Sequence, residues 1–213
     1  MANRSYLYST KTIPEPNQDD SSRVLTGISE HNYDIPIVFK ILLSGNPQAC
    51  LSVIWENSEK IALIGDYASG VQNLEAFLAS ITLPAAQAPI AEALEFLKMP
   101  ENQNQYFILE CGEIFEMSET PVEAQNLALL NQVQNLQPEI EAAYQSLLPP
   151  APVVSEQPKT IGFWAKLFGR RSTPLKALSA NNPEQAIYAL GLGLWSNILY
   201  FDFSGEDNND DQG

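Results

Sequence analysis

Four prolines fall within ten residues in "PPAPVVSEQP", residues 149 to 158. Proline fixes φ and lacks an N–H, so a stretch this dense enters neither helix nor sheet. It reads as an extended, solvent-exposed connector with no core of its own. Whatever folds in this chain is therefore assembled from the sequence on either side. The pattern predicts a main domain over residues 1–148 and a proline-rich linker over 149–160. A basic, aromatic, amphipathic segment follows over 161–172. Residues 173–204 supply a helix and a strand that complete the main domain, and 205–213 form an acidic tail. With 213 residues and 45% hydrophobic content, one sizeable core is expected.

The linker leads into "KTIGFWAKLFGRRSTPLK", residues 159 to 176, which holds five of the eleven basic residues and no acid, in a chain of net charge −15. Wound as a helix, Ile161, Trp164, Leu167 and Phe168 share one face, and the cations lie off it or at its C-terminal end. The candidate interaction residues are Phe163, Trp164, Lys166, Phe168, Arg170 and Arg171. Three uses follow from such a segment: docking on the chain's own acidic body, binding a partner protein, or lying in an anionic membrane interface. The negative field of the remaining sequence repels phosphates and anionic lipid, which places docking first and membrane contact through 161–172 last. The same field favours a basic protein partner and disfavours nucleic acid. Oligomeric state is left open.

Along the chain, "RSYLYST" alternates and predicts a strand over 4–10. "KTIPEPNQDDSSR" reads as a loop, and "IVFKILL" as a short buried helix in preference to a strand. The apolar runs Leu51–Trp55 and Ile61–Ile64 suit either a hairpin or a helix followed by a strand. Val71, Leu74, Phe77, Leu78 and Ile81 recur at helical spacing, as do Ile90, Leu94 and Leu97. Tyr106–Leu109 and Ile114–Met117 around Cys111 and Gly112 predict a hairpin or a strand and turn. A helix then opens at Ser118 or Thr120 as N-cap and carries Val122, Leu127, Leu130, Val133 and Leu136, and another restarts behind Pro138. Beyond the linker, Asn182 and Pro183 cap a helix, and "NILYFDF" predicts a well-covered strand. Helices and strands without βαβ alternation argue for an α+β fold, a single mixed domain of antiparallel strands and amphipathic helices.

Signals for chemistry are sparse. His31 in "SEHNYD" has Ser29 and Asp34 close in sequence, but residues two and three apart in one loop rarely align as nucleophile, base and orienter, so a loop or N-cap role is expected. Gly191 and Gly193 in "LGLGLW" lack the third glycine of a dinucleotide fingerprint and precede a strand, so they read as a turn. Asp207, Asn209 and Asp211 mimic the start of a calcium loop, but the glycine comes late and the chain ends before a bidentate Glu. Carboxylate pairs such as Glu92 with Glu95 and Glu113 with Glu116 read as solvated faces. Cys50 and Cys111 have no CxxC or Cys/His spacing and read as buried thiols. No cofactor or metal is expected. The N-terminus has no signal-peptide pattern, and the most apolar stretch, residues 187–201, is too short and too interrupted to span a bilayer, which places the protein in the cytoplasm.

The opening "MANRSYLYST", the block "GISEHNYDIPIVFKILLSGNP" and the closing "LGLGLWSNILYFDF" resemble a family of bacterial cytosolic proteins that carry a domain of unknown function. The resemblance implies bacterial origin and an intact globular unit, and it carries over no catalytic residue. The reading that the charge and the aromatic inventory favour is a non-enzymatic, protein-binding protein in the style of immunity or antitoxin proteins. The alternative is a small-molecule-binding protein or enzyme with a pocket that no motif announces.

Overall fold

A computed structural model describes residues 2–16, 25–55, 59–147 and 183–201. Among them are five strands and seven α-helices in one α+β unit. The strands are β1 (Arg4–Thr10), β2 (Leu25–Asn32), β3 (Gln48–Cys50), β4 (Ala62–Asp66) and β5 (Tyr106–Glu110). They form one sheet in the order β2-β1-β5-β4-β3, and every neighbouring pair is antiparallel. The helices are α1 (Ile37–Leu43), α2 (Tyr67–Ala79), α3 (Gln87–Lys98), α4 (Gly112–Phe115), α5 (Val122–Gln134), α6 (Gln137–Leu147) and α7 (Pro183–Ala189).

Alternation along the strands divides the core in two, because successive side chains point to opposite faces of a sheet. Leu7, Leu63, Phe107 and Leu109 belong to the larger core, under the helices. Tyr6, Tyr8, Ala62, Ile64 and Ile108 belong to a smaller core on the other face, with Cys50, Val53 and Leu199. Six of the seven residues of α1 are buried, Lys40 being the exception. A helix this apolar all round must be enclosed, and α1 lies at the centre of the helical layer, packed on α2, α5 and α6. Its contact with α2 is close: a Cβ at Gly70 would stand 2.0 Å from the Leu42 carbonyl oxygen.

The expected strand at 4–10 and the helices α1, α2, α3 and α6 are present. The choice left open for 49–64 resolves as the antiparallel pair β3–β4, with Leu51–Trp55 in the irregular connection. Of the two alternatives for 106–117, the strand and turn is present: β5 ends at Glu110 and the chain turns at once into α4. Four expectations are corrected. Neither Ser118 nor Thr120 caps α5; Pro121 stands at that position with no side-chain cap, and the buried stripe runs through Asn126, Leu129 and Val133, leaving Leu127 47% exposed.

The third correction concerns "NILYFDF". Residues 197–201 form no strand, and the isolated bridge to the sheet edge, Ser29 to Trp195, falls just before them. The Ser196 N–H donates to the Ile28 carbonyl at 3.2 Å, after which the Asn197 side chain, in place of the backbone, donates to the Gly27 carbonyl at 2.8 Å. Fourth, His31 is neither in a loop nor a cap. It lies on β2, opposite Ser5 of β1, and is buried.

Candidate functional site

A groove of about 620 Å³ opens where the ends of α1 and α2 face the α5–α6 corner. Ile41, Phe77, Val133, Leu136, Ile140 and Tyr144 supply its apolar walls, and Asn73, Gln134 and Gln137 its amides. The corner is made by the chain itself: α5 stops at Gln134, Leu136 turns inward, and α6 begins at Gln137. Tyr144 is held firmly, its ring stacked on Phe77 at 5.1 Å and its hydroxyl donating to the Phe77 carbonyl at 2.9 Å. The same ring walls a second cavity of about 420 Å³ that extends to Ile81, Leu83 and Leu147. Among the described residues, no carboxylate, amine or imidazole lines either cavity, so the pair offers apolar recognition with amide hydrogen bonding.

The titratable groups with the most perturbed environments lie elsewhere. On the smaller-core face the Glu110 carboxylate is fully buried; it accepts a hydrogen bond from the Ser52 hydroxyl at 2.9 Å and one from the Val53 N–H at 2.6 Å. Burial, and then the nearby Glu110, push the thiols of Cys50 and Cys111 up, so both stay protonated. The two cysteines are buried, as their spacing suggests. At one end of the sheet, Tyr6 donates to Glu113 Oε1 at 3.0 Å and the Arg4 N–H to Glu113 Oε2 at 2.7 Å. Burial, and then this hydrogen bond, raise the Tyr6 phenol above its ordinary range. Arg4 also pairs with Glu30 at 3.2 Å and covers the Tyr200 ring at 4.5 Å. Glu113 is thus a structural acceptor and not the solvated group that its pairing with Glu116 suggests.

His31 stacks on Tyr188 of α7 at 4.9 Å and meets Phe39 of α1 edge-on at 6.5 Å. Burial lowers its pKa, partly opposed by Asp34. An imidazole enclosed by two aromatic rings serves packing, and the hydroxyl of Ser5, its register partner on β1, donates to the Asp34 carbonyl at 2.8 Å. Gly191 and Gly193 form the expected turn after α7: Gly191 has φ +92°, and a Cβ there would also meet Pro36 at 2.8 Å. Among the described residues, no group of three or more His, Cys, Asp or Glu side chains could hold a metal ion. The six candidate interaction residues, Phe163, Trp164, Lys166, Phe168, Arg170 and Arg171, lie outside the described residues, as do Asp207, Asn209 and Asp211.

Charge is distributed unevenly. From Met99 to Leu147 the chain carries eight acids and no base. Glu116, Glu119 and Glu123, around the α4–α5 connection, are exposed, and so are Met117 at 57% and Leu127 at 47%. Sequence reasoning recognises the charge but not this apolar pair within it. Spacing alone assigns Leu127 to the core, and only the setting of α5 on the sheet turns it outward. Among the described residues, no helix is long and apolar enough to cross a membrane.

One family model, described as a domain of unknown function (DUF7822), matches residues 11–150. The matched span runs from just after β1 to just beyond α6; it includes the block at 27–47 and stops short of α7. No curated protein and no solved structure matches the chain.

Proposed function

The chain belongs to the DUF7822 family, and from that premise we propose that it is a non-enzymatic protein-binding module whose ligand is a basic protein, in the manner of immunity or antitoxin proteins of a bacterial cytosol. The observation that carries this reading is the one-sided charge around α4 and α5, where exposed Glu116, Glu119 and Glu123 accompany exposed Met117 and Leu127. Exposed Met and Leu side chains among like charges are the composition of an interface: the apolar groups supply affinity when desolvated, and the acids supply steering and partner choice. The enclosed state of His31, Cys50 and Cys111 supports the same reading, since none is placed to meet a substrate in solution.

The test is affinity capture on the immobilised full chain from an extract of its own cells, beside a Glu116→Gln/Glu119→Gln/Glu123→Gln variant. A basic protein retained in stoichiometric amount, released about tenfold more readily at high salt than at low, and lost by the triple variant is expected. Capture of no such protein at low salt, or equal capture by the triple variant, overturns the reading.

A further inference from the structure

We propose that the groove between α2 and the α5–α6 corner is the seat of this chain's own basic aromatic segment, with Ile161, Trp164, Leu167 and Phe168 laid against Phe77, Ile140 and Tyr144. Three observations converge on this occupant. The first is where the described chain stops. Leu147, the last residue of α6, walls the second cavity, and Tyr144 one turn earlier is shared by both, so the tether to the segment starts beside the second cavity, one helical turn from a residue that also lines the groove.

The second is length. Thirteen residues, 148–160, separate Leu147 from Ile161, and at about 3.1 Å each a proline-rich tether reaches about 40 Å. The eleven residues of α6 run only about 16 Å at about 1.5 Å each, so the segment can return along the whole groove. The return to Pro183 asks little of the rest, because α7 packs against α6.

The third is chemistry. The walls are apolar and aromatic with three amides at the rim, and they face a peptide whose helical stripe is one Ile, one Trp, one Leu and one Phe. The peptide carries five cations, and α6, whose Gln137, Ile140 and Tyr144 line the groove, carries Glu139 and Glu141 and no base, Glu139 being already engaged by Lys40 at 2.7 Å. A tethered ligand needs only modest intrinsic affinity, since the linker supplies an effective concentration of about millimolar. The proposal concerns a different surface from the acidic α4–α5 region and stands or falls separately.

Two measurements on the full chain test it. Hydrogen exchange is compared between the wild type and a Trp164→Ser/Phe168→Ser variant. Amides of 77–84 and 137–147 should exchange about tenfold faster in the variant, with β1 and β5 unchanged. Thiol trapping then uses Gln137→Cys with Gly162→Cys, beside a Lys11→Cys with Gly162→Cys control. Rapid disulfide formation within one chain for the first pair only is expected. Equal exchange in both proteins, equal trapping in both pairs, or disulfides only between chains at rates that rise with concentration would each overturn intramolecular seating.

Discussion

The Ser52 hydroxyl stands 2.9 Å from Glu110 Oε2, a hydrogen bond that joins the irregular loop after β3 to the last residue of the central strand β5. The same hydroxyl oxygen accepts from the N–H groups of Ile54 and Trp55 at 3.0 and 2.9 Å, and the other carboxylate oxygen takes the Val53 N–H. One buried acid thereby organises Leu51–Trp55 over the smaller core. Trp55 in turn lies against Gly112, where a Cβ would meet its ring at 2.9 Å. Glu110→Ala leaves a hydroxyl and an N–H buried without this acceptor. The expected loss is about 2–4 kcal/mol in urea-monitored unfolding, with Ser52→Ala costing about half as much. Unchanged stability of the Glu110→Ala variant would show that the loop is held by other means.

Gly70 is the fourth of the thirteen residues of α2, a helical position where Ala is ordinarily favoured by up to about 1 kcal/mol. Here the opposite sign is expected. A methyl group 2.0 Å from the Leu42 carbonyl must push α1 away from α2, and the partner atom is backbone, which cannot swing aside. Gly70→Ala should destabilise by about 1–3 kcal/mol, read as a lower Tm. A higher Tm would mean that the α1–α2 contact is looser than its geometry.

His31 links pH to the docking of α7. Its folded pKa lies below the ordinary 6.5, so the unfolded chain binds the proton more readily. Stability is therefore complete above pH 6.5 and declines as pH falls through 6.5 toward the folded value, below which this contribution is flat. Unfolding midpoints measured between about pH 8 and about pH 5 should fall over that window. His31→Phe, which keeps an aromatic ring between Tyr188 and Phe39, should flatten the profile there. Parallel profiles for the two proteins would assign the acid sensitivity to other groups.

Cys50 and Cys111 are 3% and 1% exposed, and their thiols are held protonated by burial and by Glu110. Thiolate is the reactive form, so both should react with an aromatic disulfide reagent at least about a hundredfold more slowly in the native protein than in denaturant. Two thiols titrated at once under native conditions would contradict their placement.

Local pattern makes much of this fold legible. The two-residue alternation of Arg4–Thr10 predicts a strand, and the apolar run at 37–43, broken only by Lys40, favours a short buried helix over a strand. Where the structure departs from expectation, a partner remote in sequence decides. "NILYFDF" has the composition of a strand, yet the carbonyl that would extend its ladder is taken by the Asn197 amide. The Asn197 backbone also comes so close to Gly27 that a Cβ there would lie 2.5 Å from the Asn197 carbonyl oxygen. The groove is equally out of reach, because Phe77 and Tyr144 are 67 residues apart and no periodicity relates them.

Charge and hydrophobic period are properties of neighbouring residues, so the excess of acids, the α+β class and most helices can be read from the chain alone. Burial depends on what a side chain meets after the chain has closed on itself. Among twenty-six acids, only the folded sheet could enclose Glu110 between Ser52 and Val53 and leave Glu116, Glu119 and Glu123 in water.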